Sequence, residues 1–82
     1  MENRVYKNVS LGEEVEIHPP CVIGIPPSGK TDGELATVIG DRAVIRPFTT
    51  IYAGVTIGQD FQTGQGASIR DDNVIGDGEV AA

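Results

Sequence analysis

The hydrophobic positions of this chain recur every sixth residue. Val5, Leu11, Ile17 and Ile23 form one run, and Ile39, Ile45, Ile51, Ile57, Ile69 and Ile75 form a second, with Thr63 standing where an isoleucine is skipped. A period of six fits neither an amphipathic helix nor a simple alternating strand. Sustained self-similarity at so short a period predicts a solenoid, and a hexapeptide repeat predicts a parallel β-helix. The fifth place of each hexad is also small or apolar, at Val9, Val15, Cys21, Ala43, Thr49, Val55, Phe61 and Ala67. Each hexad therefore reads as a short strand and a corner, with its first and fifth side chains turned inward. Glycine often follows the first place, at Gly12, Gly24, Gly40, Gly58, Gly64 and Gly76. There it is expected to relieve backbone strain at a tight corner.

Three hexads close one triangular coil, so residues 18 apart are expected to stack. Ile39, Ile57 and Ile75 make one such ladder, and Ile51 with Ile69 another. Ala43 beneath Phe61 sets a small residue against a large one, as a filled interior requires. Residues 25–36, Ile-Pro-Pro-Ser-Gly-Lys-Thr-Asp-Gly-Glu-Leu-Ala, break the rhythm, because Ile23 and Ile39 are 16 residues apart. Their Pro, Gly, Ser and Asp content predicts a loop extruded from a corner. No helix is predicted. Asn73 and Glu79 fall in inward fifth places, where a carboxylate is costly unless the coil frays. The solenoid is thus expected to be cut short there, or capped by another subunit or a further segment. The fold class is all-β: a single parallel β-helix domain over residues 1–82, with about three to four coils and one extruded loop near 25–36.

Composition narrows the partners. A chain of 82 residues forms one small domain, and a solenoid of that size buries little because each coil touches only its neighbours. Self-association is the physical expectation. The formal net charge of -6, with scattered basic residues, argues against nucleic acid and anionic membrane as partners. Cys21 is the single cysteine, so no internal disulfide forms, consistent with a reducing compartment. No apolar stretch of the signal-peptide kind follows the opening Met-Glu-Asn-Arg, and the expected location is the cytoplasm.

The phrase Ile-Gly-Asp-Arg-Ala-Val-Ile-Arg-Pro-Phe-Thr-Thr-Ile-Tyr-Ala-Gly-Val-Thr-Ile-Gly over 39–58 resembles the hexapeptide-repeat acyltransferases. So does Thr-Gly-Gln-Gly-Ala-Ser-Ile-Arg-Asp-Asp-Asn over 63–73, and the likeness extends over nearly the whole chain, including the loop at 26–30. The resemblance implies a left-handed β-helix, three subunits packed side by side, and acyl-CoA, commonly acetyl-CoA, in the cleft between neighbours. It implies acyl transfer to a sugar- or amine-type acceptor, with a histidine as general base. Members with a Thr-Gly-x phrase often carry that histidine at its third place, where this chain has Gln65. Glutamine donates and accepts hydrogen bonds but takes no proton near neutral pH. The resemblance also places Arg70, Asp71, Asp72 and Asn73 along the subunit cleft, with Arg70 and Asn73 as the cofactor contacts. The alternative for these four is a solvated corner with local Arg–Asp pairing. For the chain as a whole the alternative is a non-catalytic trimeric scaffold or binding module, its chemistry lost.

Other motifs carry less. Gly24-Ile-Pro-Pro-Ser-Gly-Lys-Thr31 matches the phosphate-loop pattern in form. Pro26 and Pro27 supply no N–H to a phosphate, and Asp32-Gly33 breaks any following helix, so a turn-rich loop is expected. Lys30 within it is expected to meet a phosphate of CoA. His18 stands before Pro19-Pro20 and should face outward at a corner, two coils below Gln65. Cys21 should be a small buried residue rather than a reactive thiol. One histidine and one inward cysteine cannot build a zinc site, so no metal is expected. Arg46, Phe48 and Tyr52 are outward candidates for a subunit interface. An ice-binding face would need a threonine column, and Thr49, Thr50, Thr56 and Thr63 form none.

Overall fold

The structure is a computed structural model that describes residues 2–81. Met1 and Ala82, the outer limits of the expected domain, lie outside the described residues. Every element is a short strand: β1 (Arg4–Val5), β2 (Val9–Leu11), β3 (Glu16–Ile17), β4 (Val22–Ile25), β5 (Thr37–Ile39), β6 (Val44–Ile45), β7 (Thr50–Tyr52), β8 (Thr56–Ile57), β9 (Gln62–Thr63), β10 (Ser68–Ile69), β11 (Val74–Ile75) and β12 (Val80–Ala81). The described residues contain no helix. The strands form three four-stranded parallel sheets, and the chain visits the three in turn. The first face is β1, β4, β7 and β10. The second is β2, β5, β8 and β11, and the third is β3, β6, β9 and β12. This is the arrangement of a parallel β-helix or solenoid, and it follows from the hexad: one inward-turned aliphatic per strand, then a corner.

The register is the expected one. Ile39 pairs with Ile57 and Ile57 with Ile75 on the second face; Ile51 pairs with Ile69 on the first. Across the inserted loop the ladders persist, with Leu11 on Ile39, Ile17 on Ile45 and Ile23 on Ile51. Ile23, Ile39, Ile45, Ile51, Ile57 and Ile69 are buried together with Cys21, Ala43, Val55 and Phe61 in one core. Each fully buried aliphatic side chain contributes about 1.5–3 kcal/mol relative to exposure.

The corners differ from the expectation. The backbone turns through the left-handed region at the fourth hexad place, at Asn8, Glu14, Arg42, Phe48, Gly54, Asp60, Gly66, Asp72 and Gly78, with φ between 57° and 86°. Pro20, whose ring cannot adopt a positive φ, holds the fourth place of its hexad, and the Pro19–Pro20 bond there is cis. Three of the glycines after the first place, Gly12, Gly40 and Gly58, serve close packing between levels instead. A Cβ added to Gly40 would lie 2.6 Å from the carbonyl of Gly58, and one on Gly12 or Gly58 would strike the aspartate of the next level, Asp41 or Asp77. Those aspartates accept from the backbone below, Asp41 from Glu13 N–H at 2.9 Å and Asp77 from Gln59 N–H at 2.8 Å. Only Gly24 among the second-place glycines has a left-handed φ, at the point where the loop leaves.

The loop between β4 and β5 lies against its own chain. Asp32 accepts from Lys7 N–H at 2.9 Å, and the Asn8 amide donates to Gly33 O at 3.2 Å. The rhythm resumes at Thr37, which is fully buried in the inward column between Val9 and Val55. At the intact corners a polar fifth-place side chain donates to the carbonyl three residues back, as Thr49 does to Arg46 O at 2.7 Å. The loop removes that acceptor for Thr37, whose hydroxyl has no partner. Asn73 and Glu79 take the inward register positions over Val55 and Phe61, yet both are exposed, because β11 and β12 are the last strands of their sheets. The lip of the solenoid removes the burial cost expected for Glu79.

Replacing Thr37 with valine keeps the shape and removes an unpaired buried hydroxyl, a group that costs about 1–3 kcal/mol. Thr37→Val is expected to raise the unfolding free energy by on the order of 1 kcal/mol, read as a higher urea midpoint with an unchanged m-value. A lowered midpoint would mean that this hydroxyl has a partner in solution.

Candidate functional site

The polar chemistry sits on the three edges where the faces meet. On the edge between the third and first faces, three corners stack: His18-Pro19-Pro20, Arg46-Pro47-Phe48 and Gly64-Gln65-Gly66. Backbone bonds join them, Phe48 N–H to Pro20 O at 2.7 Å and Gly66 N–H to Pro47 O at 3.0 Å. Gln65 is exposed at the tip of its corner. A buried hydroxyl chain supports that corner from inside. Thr63 Oγ1 accepts from Arg46 N–H at 2.8 Å. Thr49 gives its proton to Arg46 O, so the 3.3 Å contact between the two hydroxyls runs from Thr63 to Thr49. This explains why threonine replaces isoleucine at the skipped beat: here the interior must supply a hydrogen bond. Cys21 is 2% exposed, and its thiol points at the carbonyls of His18 (3.1 Å) and Arg46 (3.2 Å). It is the small buried residue that its place predicts.

His18 lies two levels below Gln65 on this edge, with Arg46 between. Its side chain is half exposed and lies 3.7 Å from Glu16. Phe48 is 62% exposed and projects from the edge, while Arg46 and Tyr52 are half-buried. The Arg46 guanidinium donates to Thr63 O at 2.9 Å, folded onto the edge rather than projecting from it. Beside Phe48 a groove of about 270 Å³ opens on the first face, walled by Phe48, Pro20, Val22, Thr50 and Arg4. That is below the usual size of a ligand cleft, and Gln65, Arg70, Asn73 and Lys30 are not among its walls.

Arg70, Asn73 and Lys30 occupy a different edge, between the first and second faces. The corner of Arg70 to Asn73 rests on Gly54, whose carbonyl accepts from Asp72 N–H at 3.3 Å. The loop carrying Lys30 leaves and returns at the same corner, where Ala53 N–H donates to Ile25 O at 2.8 Å and Gly54 N–H to Ala36 O at 3.1 Å. The guanidinium of Arg70 stacks on the Tyr52 ring, 4.1 Å from its centre, and lies 3.7 Å from Asp71. The Asn73 amide donates to Arg70 O at 2.8 Å. Lys30 reaches Glu34 at 3.3 Å, and Glu34 also accepts from the N–H of Thr31 at 3.2 Å. The loop is a closed set of turns without a following helix, which removes the phosphate-loop reading of 24–31. Within one chain, then, Arg70 and Asn73 share a corner, Lys30 shares their edge, and Gln65 stands on another.

The third edge carries a network that hexad reading passed over. Arg42 donates to Asp60 at 2.8 Å and to Gln59 at 2.7 Å. The Asp60 bond raises the Arg42 pKa, and the Arg42 bond lowers that of Asp60. Both residues hold the fourth place, 18 residues apart, so the stacking rule alone could have paired them. Among the described residues no three of His, Cys, Asp and Glu come together as metal ligands, and no helix is long and apolar enough to cross a membrane.

A scan against protein-family models, a search of curated proteins and a search of solved structures each found no match to this chain.

The Glu34 carboxyl is held below its ordinary value of 4.5, first by the Thr31 N–H and next by the Lys30 ammonium. A depressed carboxyl stabilises the loop above its unfolded pKa, and the contribution is lost as pH falls through the folded value. In an NMR titration Glu34 is expected to titrate below 4.5, and to stay below it in Lys30→Ala, because the Thr31 N–H remains. A return to 4.5 in that variant would make the ion pair the sole cause.

Proposed function

We propose that this chain is an acyltransferase-type solenoid: a left-handed β-helix of three to four coils, assembling side by side as a trimer in the cytoplasm. In this reading it engages acyl-CoA and a sugar- or amine-type acceptor at the clefts between subunits. The observation that carries the reading is the strict hexad ladder on three parallel faces, which leaves the Gly64-Gln65-Gly66 corner exposed at an edge. Arg70 and Asn73 fit a role in holding acyl-CoA in part. They are exposed and share a corner, with the Arg70 guanidinium stacked on Tyr52 and 3.7 Å from Asp71. Lys30 fits less well, since Glu34 already neutralises it, and Asp71 and Asp72 bring like charge to any phosphate nearby. Acyl-CoA, when bound, supplies an activated thioester carbonyl.

The chain's own residues then limit the chemistry. The Gln65 amide can hydrogen-bond and orient an acceptor amine or hydroxyl, but it cannot remove its proton. His18 is no substitute: two strand spacings separate it from Gln65, roughly 10 Å along the axis. A specific observation therefore favours the second reading, a non-catalytic trimeric scaffold or binding module. The groups around Gln65 at its corner, Gly64, Gly66 and Pro47, do not titrate.

Calorimetric titration of acetyl-CoA tests the first reading. Saturable binding near one site per chain is the expected result, and no heat at millimolar ligand would sink it. With binding in hand, Gln65→His is expected to confer acyl transfer to a sugar or amine acceptor. Binding without turnover in that variant would favour the scaffold.

A further inference from the structure

Exposure and backbone strain meet at Phe48. It is 62% exposed, and among the non-glycine residues with a left-handed φ it is the one aromatic. Along its edge the corner of Phe48 lies between those of Pro20 and Gly66. A Cβ added to Gly66 would meet no atom within 4 Å, so that side of the ring is open. At its foot, on the first face, lies the groove of about 270 Å³, walled by Pro20, Val22 and Thr50 as well as Phe48. An apolar cavity of about 150 Å³ already takes a benzene ring. One patch of surface therefore holds both a projecting ring and a recess large enough to receive one.

Charge decides where a second copy can approach. With a net charge of -6, two copies repel each other over most of their surface. The corners between the second and third faces carry Glu13, Glu14, Asp41, Asp60 and Asp77 against Arg42 alone. The edge between the first and second faces carries Asp71 and Asp72, with Asp32 and Glu34 in its loop. The three corners on the edge of Phe48, residues 18–20, 46–48 and 64–66, hold no carboxylate. Glu2 lines the groove, and Arg4 in the same wall offsets it. The Arg46 guanidinium donates to the Gln62 side chain at 3.3 Å and to Thr63 O at 2.9 Å, which turns it toward the third face and away from the groove. Copies can meet at this edge without setting carboxylate against carboxylate, a juxtaposition that opposes association elsewhere. Tyr52, by contrast, is half-buried beside Arg70 on another edge.

We infer that copies of this chain join side by side at this edge, with Phe48 of each copy seated in the groove of its neighbour. The inference rests on the side-by-side assembly of the proposed function, and adds to it the edge and the residue that make the contact. It also gives the strain at Phe48 a reason. A residue suited to the turn, such as those at Asn8 and Asp60, would relax the backbone but leave the groove empty. Gln65, one level away on the same edge, then stands at the margin of the contact.

Sedimentation velocity over a concentration series tests this on the parent, Phe48→Asn and Phe48→Gly. Both replacements suit a left-handed turn, so the β-sheet circular dichroism is expected to be retained. The parent is expected to sediment as an assembly, and both variants as single chains at concentrations where the parent stays assembled. Phe48→Tyr keeps the ring and should sediment as the parent does. Val38→Asn is the matched control: Val38 is 40% exposed on the second face, across the coil from this edge, and its loss should leave the assembly intact. An assembled parent whose size survives both Phe48→Asn and Phe48→Gly would overturn the inference while leaving side-by-side assembly through another edge. Equal dissociation of Val38→Asn would trace the effect to general loosening and overturn it too. A parent that is a single chain up to millimolar concentration would overturn it together with the assembly it rests on.

Discussion

Each inward side chain of this protein must rest on the same hexad place of the level below. The strand hydrogen bonds hold the levels in register, so an inward position has no freedom to choose its neighbours. Val5, Ile23, Ile51 and Ile69 are one column for that reason, and the loop between β4 and β5 is tolerated because it enters and leaves at a corner. The constraint also has a local cost. The loop displaces the carbonyl that a polar fifth-place residue would use, and the Thr37 hydroxyl is left without a partner between Val9 and Val55.

Where the faces meet, the same register fixes what the corners can be. A left-handed turn at the fourth place is easy for Gly54, Gly66 and Gly78 and tolerable for Asn8, Asp60 and Asp72. It is strained for Phe48, a bulky residue held outward at φ 66°. With the interior closed to charge, polar groups collect on the edges in columns. Arg42, Asp60 and Gln59 interlock on one edge. Arg70 on Tyr52 and the loop salt bridge occupy a second, and Gln65 and His18 a third. A site that needs residues from two of these edges cannot be assembled within one chain. A neighbouring copy that brings its own edge alongside could supply the missing half, which is the physical reason the proposed function is tied to assembly.

The inward columns change character at β11 and β12. Asn73 and Glu79 continue the backbone register of Val55 and Phe61, yet both side chains are exposed.

The all-strand architecture, the inward columns, the loop over 25–36 and the burial of Cys21 were all legible in the sequence. A six-residue period leaves one way to bury an aliphatic residue per hexad, and 16 residues between Ile23 and Ile39 cannot keep it. The left-handed fourth place was also written there, in Asn8, Gly54, Asp60, Gly66, Asp72 and Gly78, while of the second-place glycines only Gly24 has a left-handed φ. Only the tertiary structure showed that Gly12, Gly40 and Gly58 make room for the aspartate or backbone of the next level. It alone separated Gln65 from Arg70, Asn73 and Lys30, and tied Lys30 to Glu34 inside a loop that folds back on Lys7 and Asn8. Periodicity reports which side of a strand faces in, a property of each hexad by itself. Which edges come together, and which polar groups are already satisfied, depends on contacts between levels and across the loop, and no local pattern of residues encodes them.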